Sequence, residues 1–158
     1  MKITFSKGVG FGLTSGVITT LGIIIGLESG TQSKLAVMTG ILVLALADSL
    51  SDAMGIHVSE EAEGEHTSEE ILESTVSTLI SKAVFTLSFL LPVLLLDPPN
   101  TIYASVGWGL ALISFFSYYM AKKQNKKSSK IILEHLVLTI IVIVSAYYLG
   151  SFIRQLFT

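Results

Sequence analysis

The chain contains no cysteine, which removes disulfide frameworks and thiolate metal sites from consideration. Charge is scarce as well: only 14% of the 158 residues are Asp, Glu, Lys or Arg, against about 25% in an ordinary soluble domain. Proline occurs three times, two of them adjacent at Pro98 and Pro99, so little interrupts helix formation. No cleavable signal peptide is expected, because the first apolar run is too long and leads directly into a second. What is present is 51% hydrophobic residues and a mean hydropathy of +0.71, gathered into five long apolar runs. The linkers are too short for a second domain. These features exclude a soluble enzyme, a nucleic-acid binder and a secreted disulfide scaffold. The expectation is one all-α, polytopic transmembrane domain over residues 1–158.

A helix crosses the hydrocarbon in about 20 residues, which places five spans near residues 8–27, 35–58, 71–96, 101–121 and 131–152. The third ends at Asp97-Pro98-Pro99, where paired prolines stop a helix. Lysines 122, 123, 126, 127 and 130 join spans four and five, and Lys2 and Lys7 precede span one. The positive-inside bias then puts the amino terminus and residues 122–130 in the cytosol. The acidic linker 59–70 falls on the same side. Lys34 and Arg154 are left outside.

That linker region holds Glu60, Glu61, Glu63, Glu65, Glu69, Glu70 and Glu73, seven of the twelve acidic residues, together with His57 and His66. Gly64 is placed to end the extension of span two, and Thr67 followed by Glu70 has the spacing of a capping box. A helix from Ser68 to Leu96 would be about 43 Å long at 1.5 Å per residue. This exceeds a core of about 30 Å, so spans two and three are expected to extend into the cytosol. The Glu/His run is either a solvated charge run or a weak collector of labile metal. Carboxylate with imidazole suits Fe²⁺, Mn²⁺ or Zn²⁺, and the reading adopted is metal capture by Glu60, Glu63, His66, Glu70 and Glu73. Tight structural zinc and a tightly bound cofactor are not expected, because no compact tetrahedral ligand set is visible.

Ionisable groups inside a span mark functional sites by default. Asp48 and Asp52 lie four apart and share a helix face, with Lys82 of span three within reach. One reading is a buried network in which Lys82 and serine hydroxyls neutralise the acids. The other, adopted here, is a cation or proton path in which oxygen ligands replace a hydration shell. Glu134 and His135 open span five, either as a cap suited to the helix dipole or as part of the same mouth. Met54 either fills the core or presents a soft thioether to the metal. An aspartyl protease is disfavoured, because its two acids come from facing helices whereas Asp48 and Asp52 share one. No enzyme activity is expected. Small residues including Gly8, Gly12, Gly22 and Gly26 form a stripe on span one. The stripe permits close approach of another backbone, within one protomer or at a dimer seam or pore wall.

Residues 12–22, Gly-Leu-Thr-Ser-Gly-Val-Ile-Thr-Thr-Leu-Gly, followed by Ser51-Asp52-Ala53-Met54-Gly55, resemble the first two spans of the vacuolar iron transporter (nodulin-21-like) family. Residues 89–94 and 145–150 are similar to its third and fifth spans. The resemblance implies five spans, a homodimer, and export of cytosolic Fe²⁺ or Mn²⁺ in exchange for protons. It implies that Met54 lines the pore and that Glu60 to Glu73 collect metal. Two departures stand out. Ser15 occupies the place where the family has a pore aspartate, and the cytosolic metal-binding region is reduced to a short connection. Asp48 and Asp52 are expected to substitute for the missing carboxylate and, with Glu134, to carry protons. The alternative is a non-transporting membrane metal sensor or scaffold subunit.

Overall fold

The computed structural model describes residues 3–123 and 125–157, so Lys2 lies outside the described residues. It is all-helical, with five helices long and apolar enough to cross a membrane. They are α1 (Ile3–Thr31), α2 (Lys34–Glu63), α3 (Ser68–Leu95), α4 (Asn100–Lys123) and α5 (Ser128–Phe157). Each helix exceeds its expected span by several residues except α3, which begins earlier and ends one residue sooner. Large apolar side chains are exposed over the outer faces, among them Leu46, Phe115, Ile141 and Leu149. An apolar belt of this extent is stable only against lipid or another apolar surface. Five helices could thus cross a membrane, an arrangement compatible with a multi-pass membrane protein.

Helix α1 is the centre of the bundle. Its residues Leu13, Val17, Leu21 and Ile24 join Val37 and Ile41 of α2, Phe89 and Val93 of α3, and Ile113 of α4 in one buried core. The glycine stripe on α1 is used inside the chain. A Cβ at Gly8 or Gly12 would overlap the backbone carbonyls of Ser74 and Thr78 on α3, while Gly22 and Gly26 lie against Val142 and Ala146 of α5. One face thus seats two helices, each over half of its length. The α3 side of this seam is polar: Ser74, Ser77, Thr78 and Ser81 are buried there. Their hydroxyls donate to carbonyls three or four residues back, at 2.8–3.3 Å. Small residues whose polarity is satisfied within their own helix allow close approach without orphaned groups.

Two helices are irregular, each for a local reason. Within α2, residues Leu44–Asp48 form one π turn, where Ser49 N–H reaches back to Leu44. Such an inserted residue shifts the helical phase and recurs at functional sites. Helix α3 breaks at Phe89 between Ser68–Ser88 and Leu90–Leu95. Pro92 lacks an N–H and collides with the carbonyl of residue i−4, here Ser88. Trp108 Nε1 donates to Ser88 Oγ at 3.0 Å beside the break.

The acidic connection is mostly helical. Gly64 ends α2 with φ 68°, a left-handed conformation that glycine adopts without cost. Thr67 begins α3 with a complete capping box: Thr67 N–H donates to Glu70 Oε2 at 3.0 Å, and Glu70 N–H donates to Thr67 Oγ1 at 3.3 Å. Replacing Thr67 with alanine is expected to cost about 1 kcal/mol. Faster amide exchange over the first turn of α3 would register the loss.

Contacts sort the charges to the two ends of the bundle. Lys7, Glu60, Glu63 and His66 share one end, where Lys123 Nζ also donates to Ser6 Oγ at 2.8 Å. At the other, Lys34 Nζ donates to the carbonyls of Leu94 and Leu96 and pairs with Asp97 at 3.3 Å. A cation there suits the carbonyl-rich end of α3.

Candidate functional site

Two ionisable clusters lie on the seam where α1, α2 and α3 meet. The inner one is built around Lys82, whose side chain is 0% exposed. Its Nζ contacts Asp48 Oδ2 and Asp52 Oδ2, each at 2.5 Å, and donates to Ser15 Oγ at 3.1 Å. Ser15 in turn donates to Asp52 Oδ2 at 2.6 Å. The one-turn spacing of the two aspartates on α2 lets both reach one ammonium from α3. Two carboxylates and one ammonium sum to −1, so the centre retains one uncompensated negative charge. Burying such a group is tolerable only when its charge is paired and hydrogen-bonded.

The position between the aspartates is therefore taken by an ammonium. Of the two sequence readings of this pair, the geometry follows the network with Lys82 and a serine hydroxyl, although one ammonium offsets only one of the two acids. Asp48 and Asp52 keep 32% and 22% of their side chains exposed, so the centre opens on the α2 side.

The outer cluster sits where α2 turns into α3. Glu60 and Glu63 are one turn apart on α2, and the left-handed Gly64 folds the chain back so that His66 returns towards them. One ligand atom from each of Glu60, Glu63 and His66 lies within 4.8 Å of the other two. Glu60 is fully buried; its Oε1 is 2.7 Å from Lys7 Nζ and its Oε2 is 3.1 Å from His66 Nε2. Lys7 also approaches Glu63 at 3.6 Å. Two carboxylates and an imidazole at this spacing form an oxygen/nitrogen set suited to a divalent first-row metal with water completing its shell.

The clusters occupy the same faces of the same helices. Lys7 and Ser15 are eight residues apart on α1, as are Asp52 and Glu60 on α2, a rise of about 12 Å. Between them His57 Nδ1 meets Thr75 Oγ1 at 3.0 Å, joining α2 to α3. Among the described residues no hydrogen bond or ion pair joins His57 or Thr75 to either cluster, so the rungs of this polar ladder are separate.

The other sequence candidates lie elsewhere. Glu70 serves in the capping box. Glu73 borders an apolar groove with Val9, Val76, Ile80 and Val84. Met54 is 61% exposed; two residues beyond Asp52, it turns about 200° away from it. Glu134 lies 3.9 Å from Lys130 and lines a separate groove between α1, α4 and α5. Glu134 pairs with neither Lys82 nor Lys7, the lysines that hold Asp52 and the linker acids. Lys7 is the residue that touches both sides. Lys82, a lone lysine inside an apolar span that the sequence puts within reach of the aspartates, is found in contact with both.

No family model, curated protein or solved structure matches this chain. Nothing in these comparisons identifies the vacuolar iron transporter family.

Proposed function

We propose that this protein moves a divalent transition metal, Fe²⁺ or Mn²⁺, out of the cytosol in exchange for protons. The single observation that carries the proposal is the convergence of Glu60, Glu63 and His66 at the mouth of the polar ladder. In this reading that end faces the cytosol with the amino terminus, and the adjoining ends of α2 and α3 extend beyond the bilayer. A metal arriving there takes over the carboxylate charge that Lys7 now balances. It then meets the Asp48–Lys82–Asp52 centre, whose net charge of −1 has room for one further positive charge but not two. A dication at that centre leaves a charge of +1 unless a proton departs; in this reading the departing proton is the one Lys82 holds between the two carboxylates, and it is the ion exchanged. Asp48 and Asp52 act there as charge carriers rather than as an open metal cage. Their partial exposure at membrane depth supports a second copy covering this face, as the resemblance to vacuolar iron transporters implies.

The test is uptake of Fe²⁺, Mn²⁺ and Zn²⁺ into sealed vesicles containing the purified protein, with and without an imposed pH gradient. Flux of Fe²⁺ or Mn²⁺ that follows the gradient supports the proposal. Glu60→Gln or His66→Ala should weaken metal binding on the order of tenfold or more, and acidification should weaken it further, because bound ligands must be deprotonated. Lys7→Gln removes the competing ammonium and should tighten binding. One observation favours a second reading, a metal sensor that does not transport: the ammonium of Lys82 fills the inner cation position. Metal binding without flux would establish it and end the transport proposal.

A further inference from the structure

The groove of about 460 Å³ between α1, α4 and α5 shares only Lys7 with the metal cluster. Its walls are of two kinds. Phe11, Phe116, Met120 and Ile131 form an apolar length, and Ser6 and Lys7 stand at the polar end. Lys123 reaches Ser6 at 2.8 Å, and Lys130 stands 3.9 Å from Glu134, which brings two lysines of residues 122–130 to that end. Residues 122–130 carry five lysines and no acid, so with Glu134 the segment 122–134 has a formal charge of +4. Among the described residues, no carboxylate lies within ion-pair distance of Lys122, Lys123, Lys126 or Lys127. Lys122 instead stacks over the Tyr118 ring, 5.8 Å from its centroid.

We infer that this groove binds an anionic phospholipid. The acyl chain lies along Phe11, Phe116, Met120 and Ile131, and the headgroup phosphate is held by Lys123 and its lysine neighbours. Charge complementarity selects the occupant: basic residues beside a transmembrane helix attract anionic lipid. A groove in a membrane-spanning bundle is also surrounded by acyl chains. Lys130 offsets Glu134, which otherwise would repel a phosphate. Lys7 is already engaged by Glu60 and contributes less.

The experiment is native mass spectrometry of the full chain released from mixed phosphatidylglycerol and phosphatidylcholine nanodiscs. Retention of phosphatidylglycerol over phosphatidylcholine by about tenfold or more is expected, in line with several lysines acting together. The variant K122Q/K123Q/K126Q/K127Q should lose the preference while keeping the helical circular-dichroism spectrum of the unsubstituted protein. Ile131→Trp, which fills the apolar length but keeps every lysine, should also lose the bound lipid. Millimolar inorganic phosphate should not displace it. Equal retention of the two lipids, an unchanged preference in the lysine variant, or displacement by inorganic phosphate would overturn the assignment.

Discussion

Replacing Lys82 with methionine is expected to destabilise the folded protein by about 3–5 kcal/mol, the loss typical when one partner of a buried ion pair is removed. The ammonium is the cation that both Asp48 and Asp52 contact, and it is fully enclosed. Without it two like charges one helical turn apart face each other, with only the Ser15 hydroxyl to stabilise either. Methionine has nearly the length of lysine, so packing is preserved and the charge is the variable. The triple variant K82M/D48N/D52N separates the causes: with the unpaired carboxylates gone, most of the stability should return. Thermal unfolding in nanodiscs of constant lipid composition reads both results. If Lys82→Met unfolds at the temperature of the unsubstituted protein, the ion triad is not a structural element of the bundle.

The second large effect is expected at Gly12. A Cβ there would overlap Ser81 Oγ and the Thr78 carbonyl, forcing α1 and α3 apart. Gly12→Val should cost about 1–3 kcal/mol as an overpacking substitution. It also displaces Ser15 and Lys82, which lie further along the same two helices. The comparison that isolates packing from helix propensity is Gly55→Ala or Gly107→Ala, where nothing lies within 4 Å of the added carbon. Alanine at those sites should stabilise the protein by about 0.5–1 kcal/mol, because glycine loses more backbone freedom on folding. Opposite signs at Gly12 and Gly55, measured under the same conditions, are the expected outcome. A neutral Gly12→Val would mean that α1 and α3 do not pack as closely as described.

Much of the architecture is legible in the sequence, because its signals are local. Five apolar runs, the Gly64 break and the Thr67–Glu70 capping box each depend on a few neighbouring residues, and each is found. The break in α3 departs from the unbroken span expected over residues 71–96, although its cause, Pro92, acts within one turn. The π turn at Leu44–Asp48 had no such signal. It sets the phase with which Asp48 and Asp52 meet α3, and its cost is met by contacts from other helices. The outward position of Met54 was readable from its two-residue offset from Asp52. The resemblance drew attention to it as a pore residue instead.

The candidate site divides along the same line. Glu60 and Glu63 share a face by spacing alone, but the return of His66 depends on the left-handed turn between them. The glycine stripe on α1 was plain in the sequence, whereas its partners, α3 over one half and α5 over the other, were not. Hydropathy, caps and residue spacing are properties of a chain and its immediate neighbours, so the sequence by itself determined a five-helix membrane protein with acids at these positions. Which charges meet is a property of helix packing. Only the tertiary structure decided that Lys82 sits against both Asp48 and Asp52, that Lys7 holds Glu60, and that Glu134 lines a groove with α1 and α4. A side chain's partner across a bundle is chosen by the summed packing of whole helices, and no short stretch of sequence contains that sum.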